Sequence, residues 1–414
     1  MKRVVKRSIL SVVFALGVPL AGQTGIWWQR GFVENRTLYY PQPAKNDSTL
    51  WVNESLLRWE FGLRLGGSWK IYGGLDAQTD THDQVLRSLH LSLFDRDLKR
   101  PPFALRTLFA QYTRGPFRLE AGKQVLRWGV ADLFPPTDTF AARDALSPSG
   151  ADYLGTWAVR GVYDSGPGSV EILYFPRFTP SRAPLAGQRW VIAPASTAFY
   201  RLRFEGVEYP GGPQFGVRYH RILSPVEFSG CYFEGFQNFP SLPVTYLVLP
   251  RILEYRGVYP KNRMVGADVT APWRGVLWKA ESSYTRSLTN LADDYWVFVV
   301  QAERLRDKWQ WTAGYTGAFR VEDRHTSQLP VNRSFTKSFS GRVSWSPISK
   351  NLLSAESFLQ QNGKAFVCRL LYSRELARSF RATAGYIWIT GSPDELIGTY
   401  HINSYATMQF RYSF

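Results

Sequence analysis

Tyr405-Ala406-Thr407-Met408-Gln409-Phe410-Arg411-Tyr412-Ser413-Phe414 closes the chain. Ala406, Met408, Phe410, Tyr412 and Phe414 fall on one side of an extended backbone, with the polar residues on the other. A period of two marks a strand that separates two different surroundings. The rhythm runs back through the sequence. Phe380, Ala382, Ala384, Tyr386 and Trp388 oppose Arg381, Thr383 and Gly385. Trp309, Trp311, Ala313 and Tyr315 oppose Gln310, Thr312 and Gly314. Phe117, Leu119 and Ala121 oppose Arg118, Glu120 and Gly122, and Trp59, Phe61, Leu63 and Leu65 oppose Arg58, Glu60, Gly62 and Arg64.

Many of these segments run about ten residues, which a tilted strand needs to cross a bilayer and a soluble sheet rarely uses. Their apolar faces mix Trp, Tyr and Phe with Gly and Ala, where a soluble core would hold Leu, Ile and Val. That mixture suits a lipid-facing wall with aromatic girdles, and the Arg, Glu, Ser and Thr opposite suit a wet lumen. Backbone groups in lipid must all be paired within the protein, so such a sheet has to close. The expected fold is therefore all-β: a transmembrane antiparallel β-barrel of about 18 strands, with 16–20 allowed. No fixed-period repeat supports a β-helix or propeller.

Composition agrees. The 414 residues carry 50 Lys and Arg against 33 Asp and Glu, a net charge of +17, with 15% aromatics. A mean hydropathy of −0.24 excludes a helical polytopic membrane protein, and the aromatic content excludes a disordered chain. The positive charge is scattered over strands without a basic cluster, which argues against nucleic acid as a partner.

Residues 1–22 read as a signal peptide. Lys2, Arg3, Lys6 and Arg7 precede the apolar run 9–20, and Ala21-Gly22 offers a cleavage site before Gln23. Gln23 stands where a lipidated Cys would have to be, so Sec-dependent export without a lipid anchor is expected. The mature chain 23–414 forms one barrel domain and retains about +13. Cys231 and Cys368 read as a reduced pair, each within an apparent strand.

The terminal alternation also resembles the signature by which bacterial outer-membrane barrels are recognised for assembly. The resemblance makes Phe410, Tyr412 and Phe414 the assembly signal, read by the barrel-assembly machinery. It implies the outer membrane of a Gram-negative-type bacterium, with outer-membrane lipids and lipopolysaccharide as surroundings. Working back from a periplasmic C-terminus, long extracellular loops fall at 390–401, 320–335, 286–294, 176–198 and 127–155. Short periplasmic turns fall at 374–378, 347–350, 305–308, 271–274, 165–168 and 114–116. Pro240, Pro243 and Pro250 leave 205–262 the least defined region.

A second resemblance rests on Gly122-Lys123-Gln124, Arg127-Trp128-Gly129, Pro136-Thr137-Asp138, Arg143-Asp144 and the Pro/Ser/Arg run 175–182. Together they resemble a group of poorly characterised Gram-negative outer-membrane barrels, distantly like alginate-export channels and other porins. The resemblance covers residues 120–185 and implies fold and location rather than a substrate.

At nearly thirty residues, 127–155 is long for a bare connector. Its Arg127, Asp132, Asp138, Arg143 and Asp144 carry both signs of charge. Folded inward they would set a constriction, where opposed charges govern ion selectivity. A cap over the barrel mouth, with these residues pairing for stability, and a direct ligand site are the alternatives. By strand parity the lumen also receives Arg118, Glu120, Arg160, Arg201, Arg203, Arg218, Arg342, Arg369 and Arg381. This basic excess would favour anions, unless cross-strand Arg–Glu pairs absorb it into wall stability.

No catalytic, cofactor or metal-ligand pattern appears: the five His are isolated, and neither G-x-S-x-G nor H-E-x-x-H occurs. The sequence thus favours a non-enzymatic porin-like channel for passive or weakly selective diffusion of small hydrophilic solutes, with a preference for anions if the basic excess faces the lumen unpaired. A surface-polysaccharide export or envelope-assembly barrel, and a barrel enzyme acting on lipid, are the alternatives. A homo-oligomer is compatible with either channel or assembly role.

Overall fold

The computed structural model describes residues 26–132, 134–147, 152–191, 201–242, 244–247, 252–322 and 337–414. The expected signal peptide lies outside them. Eighteen strands form the wall. The first half comprises β1 (Trp27–Tyr39), β2 (Trp51–Leu65), β3 (Trp69–Asp80), β4 (Phe103–Arg114), β5 (Phe117–Gln124) and β6 (Thr156–Asp164). Then come β7 (Gly168–Phe175), β8 (Gln214–Leu223), β9 (Val226–Phe236), β10 (Lys261–Trp273), β11 (Val276–Ser287) and β12 (Asp294–Arg306). The wall is completed by β13 (Trp309–Glu322), β14 (Ser338–Trp345), β15 (Asn351–Gln360), β16 (Ala365–Ala377), β17 (Phe380–Gly391) and β18 (Tyr405–Ser413).

Each strand pairs antiparallel with the next, and β18 returns to β1 with Phe32 opposite Ser413. Gly31 and Phe414 exchange both backbone hydrogen bonds at 2.9 Å across this seam. Closure leaves no open sheet edge, the condition for a sheet whose outside meets hydrocarbon.

Parity places the faces as the sequence implies. Trp69, Phe117, Trp278, Trp309, Phe339 and Trp388 are exposed on the outer wall, whereas Arg58, Glu120, Glu281 and Arg342 turn inward. Near the short-turn end Trp69 lies 4.9 Å from Tyr112, Phe117 lies 4.8 Å from Tyr163, and Trp309 stacks on Trp345 at 5.4 Å. Tyr39 on Trp51 and Trp296 on Phe319 form the corresponding belt at the long-loop end. Such amphipathic rings favour the level where hydrocarbon gives way to headgroups.

Tight turns occupy one end. Arg274-Gly275, with φ of 50° and 73°, form a two-residue turn of the kind whose twist matches flanking antiparallel strands. Several expected boundaries shift. The turns fall at 378–379, 346–350, 307–308, 274–275, 165–167 and 115–116, because strands such as β10 and β16 keep pairing further than turn chemistry indicated. A four-residue outer connection, 361–364, was absent from the expected loops, being as short as a periplasmic turn.

Region 205–262 departs further. β8 and β9 belong to the wall, but the strand Arg201–Glu208 pairs in parallel with Ile252–Val258, which pairs with Val244–Leu247. These three strands form a separate small sheet within the long loops. Cys231 and Cys368 are both free.

Candidate channel constriction

The segment following β5 runs into the barrel and across it. Gly122, at φ +133°, sits where β5 approaches β4 too closely for a side chain: a Cβ there would lie 2.2 Å from the Leu108 carbonyl oxygen, and β5 stays paired as far as Gln124. Lys123 then donates to Asp95 and the Leu105 carbonyl, and Gln124 to the Ala158 carbonyl at 3.2 Å, clamping the segment's root. Asp138 knots the next stretch. One of its oxygens accepts the Trp128 and Gly129 amides at 2.7 and 2.8 Å, and the other accepts Arg127 Nε at 2.9 Å.

Trp128 drives the segment onto the inner wall. Its indole donates to Glu171 of β7 at 3.0 Å. Its ring fills the space above Gly216 of β8, where a Cβ would come within 2.6 Å of the indole. With Leu126 and Phe140 it covers Leu173, Phe175, Phe233 and Met264, an inward-facing apolar patch on β7, β9 and β10. The inner face is therefore not uniformly polar. It is greasy where this segment packs, and hydrophobic burial favours that packing.

On the far side, one carboxylate holds the tip. Glu281 of β11, 2% exposed, accepts the Val130 and Ala131 amides, each at 2.9 Å. Its other oxygen accepts the Thr137 amide at 2.8 Å and the Thr137 hydroxyl at 2.7 Å. Beside it, Asp132 accepts Lys279 at 2.8 Å and Gln301 of β12, and Ser283 donates to the Pro136 carbonyl at 3.0 Å. Burial raises the cost of ionising Asp132. The hydrogen bonds from Lys279 and Gln301 outweigh it and hold its pKa below the ordinary 3.8. Phe134 reaches Phe358 of β15 at 5.5 Å, so the segment spans from β5 to the opposite wall.

The returning half is tied to the near wall. Asp144 binds Arg100 at 2.9 Å and Arg182 at 3.0 Å, and Arg182 also binds Asp95 at 2.7 Å. Burial opposes Asp144 ionisation, but the two guanidinium groups overcome it and lower its pKa. Asp152 binds Arg58 of β2 at 2.8 Å and Arg106 of β4 at 3.0 Å.

Two cavities flank this bridge. The larger, about 1150 Å³, places Arg127, Asp132 and Arg143 of the segment opposite Arg342, Glu356 and Arg369 of β14, β15 and β16. Glu356 stands in register between Arg342 and Arg369 and accepts Arg342 Nε at 2.6 Å. Tyr153 lies between two cations, with Arg127 4.4 Å and Arg143 4.7 Å from its ring centre. The smaller cavity, about 440 Å³, lies toward β1–β4 and is lined by Arg58, Asp76, Arg106, Asp144 and Asp152 among others.

Of the residues singled out in the sequence, Arg127, Asp132, Arg143, Arg342 and Arg369 meet around the larger cavity. Asp138 also borders it, but its side chain is consumed in the loop's own knot, and Asp144 is consumed between Arg100 and Arg182. Arg118, Glu120 and Arg160 form a wall ladder that ends on Glu171, with Arg160 to Glu171 at 2.8 Å. Arg218 is absorbed by Asp268 at 3.0 Å. Arg381 sits inward near the short-turn end.

Arg201 and Arg203 require correction. They lie on the small loop sheet rather than the barrel wall, and Arg203 pairs with Glu205 at 2.7 Å and Glu254 at 3.1 Å. Alternation marks a strand but not which sheet it joins. The sequence reading also passed over the inward acids Glu34, Asp76 and Asp268, each of which takes up an arginine. Their inward parity was readable; their partners required the register.

Among the histidines, His82 is bound by Asp47 at 2.7 Å, and His220 lies 3.6 Å from Glu227. The described residues contain no group of His, Cys, Asp or Glu able to hold a metal ion.

No protein-family model matches the chain, and a search of curated proteins gives no match. Solved structures do match. Acinetobacter baumannii OccAB4 aligns over 95% of this chain and 99% of its own, with a TM-score of 0.56 at 10% identity. Pseudomonas aeruginosa OpdQ aligns over 93% and 98%, with a TM-score of 0.50 at 9% identity. A mutant of Rh. blastica porin aligns over 94% and 100%, with a TM-score of 0.45 at 9% identity. At these identities the likeness shows fold alone, and that fold is the closed, porin-like barrel of outer-membrane proteins.

Proposed function

We propose that the chain is a non-enzymatic diffusion channel of the outer membrane for small hydrophilic solutes, weakly selective and tilted toward anions. The observation that carries this reading is the segment bolted to Glu281, which crosses the lumen beside a cavity of about 1150 Å³ bordered by charged residues. Weak selectivity follows from pairing, since most lumen arginines already face a carboxylate. The tilt follows from accessibility. The side chains of Arg127, Arg342 and Arg369 are 40%, 39% and 36% exposed, whereas Glu356 and Asp138 are 14% and 1% exposed. The exposed acids of the same cavity each face a base: Asp132, 39% exposed, binds Lys279, Asp83, 66% exposed, binds Lys99, and Asp97, 43% exposed, lies 3.6 Å from His90. A positive accessible lining raises the local concentration of anions.

Single-channel recording in planar bilayers under a salt gradient tests the proposal. Discrete conductance steps with a reversal potential on the anion side are expected. A folded, inserted barrel without conductance would favour an envelope-assembly role instead.

A further inference from the structure

The outer wall carries an asymmetry that transport does not use. At the short-turn end, Arg114 on β4, Arg221 on β8, Arg304 and Arg306 on β12 and Arg374 on β16 occupy outward positions. This follows from their parity with Tyr112, Tyr219, Val300 and Tyr372 on the same strands. None makes an ion pair among the described residues, and no Asp or Glu takes an outward position on the strand ends there. They interleave with the aromatic belt. Arg306 is in register with Trp309 and Arg304 with Trp311, Arg221 lies 3.4 Å from the Tyr219 hydroxyl, and Arg274 covers the Trp273 ring at 4.6 Å. At the opposite end Lys261 and Arg263, outward on β10, both pair with Glu234 at 2.8 Å, and Arg286 of β11, outward in register with Arg263, makes no ion pair among the described residues.

We propose that this arginine–tryptophan collar binds the phosphodiester headgroups of anionic glycerophospholipids in the leaflet at the short-turn end. Guanidinium groups form paired hydrogen bonds with phosphate oxygens, and their stems lie along apolar surface while the heads reach the interface. Tryptophan at the same level fixes the depth of the wall in the bilayer. The outward placement favours lipid over a soluble polyanion, which would meet the turns rather than the hydrocarbon-facing strand ends. The inference rests on the barrel lying in a bilayer, which the conductance measurement tests separately.

The test titrates the detergent-purified full chain with equimolar phosphatidylglycerol and phosphatidylcholine and counts retained lipid by native mass spectrometry. Preferential retention of phosphatidylglycerol is expected. The double variant R304Q/R306Q should lower that preference on the order of tenfold, since each arginine at an anionic surface contributes favourably. R221Q/R374Q provides a second, independent pair if the first folds poorly, and R263Q at the other end should leave the preference intact. Equal retention of both lipids by the natural chain overturns the proposal. So does an unchanged preference in both double variants, or complete displacement of phosphatidylglycerol by millimolar inorganic phosphate, which would make the collar a general anion site.

Discussion

Thr137 gives both its amide and its hydroxyl to a single oxygen of Glu281, at 2.8 and 2.7 Å, although the two residues stand 144 positions apart. The other oxygen of the same carboxylate holds Val130 and Ala131. The bridge across the lumen is thus secured at its far end chiefly by one wall residue, with Asp132 and Ser283 beside it.

Replacing that residue should release the bridge. Glu281→Ala deletes four hydrogen bonds to a charged acceptor, and the docked state should lose about 4 kcal/mol. The barrel wall, whose ladder bonds are untouched, should keep its thermal stability. Single-channel records should show higher conductance and more open-channel noise than the parent. An unaltered, quiet conductance would remove Glu281 from the account.

Acid should reach the same bridge through its carboxylates. Asp132 and Asp144 both have folded pKa values below the ordinary 3.8. A depressed folded pKa contributes stability above the unfolded value, and that contribution is lost as pH falls through the folded value. The ties made by Asp132 and Asp144 should therefore hold from neutral pH down past 4 and release only in stronger acid, where conductance should change. No change of conductance on passing into that range would take the two aspartates out of the account.

Arg342→Gln should shift selectivity without opening the passage. It removes an accessible cation and leaves Glu356 only the more distant Arg369, at 3.9 Å. The anion-to-cation permeability ratio should fall about twofold, read from the reversal potential under a salt gradient.

Trp128→Ala should loosen the segment at its near end. The buried indole packs over Gly216 and against Phe140 at 4.7 Å, and truncating it costs ~3–5 kcal/mol of packing. Trypsin should then cut after Arg127 and Arg143 in folded protein at rates the parent resists. Equal resistance would show that Glu281 and Asp138 hold the segment without it.

Deleting Phe414 should lower the yield of folded barrel. The residue exchanges two backbone hydrogen bonds with Gly31 across the seam and lays its ring over that glycine. Heat-modifiable mobility on gels would report the folded fraction.

Much of this was legible in the chain itself. Alternation in strands such as β5, β13 and β17 gave the faces directly, because a period of two has only two outcomes. The motif residues Lys123, Trp128, Thr137, Asp138 and Asp144 were visible as a cluster, and each proves to be an anchor of the bridge. What stayed hidden was pairing at a distance. Nothing near Glu281 distinguishes it from Glu120, yet one holds a crossing segment and the other a neighbouring arginine. The apolar inward patch at Leu173, Phe175 and Phe233 broke the expected polarity because its partner comes from another part of the chain. Arg201 and Arg203 misled for a related reason: a loop strand alternates as a wall strand does.

The long separation between Thr137 and Glu281 also has a temporal side. Trp128 finds its packing partners on β7 to β10, but the tip has its fastening only where β11 stands in the same wall. The narrow aperture is therefore complete only once both stretches of wall are present, whichever is laid down first.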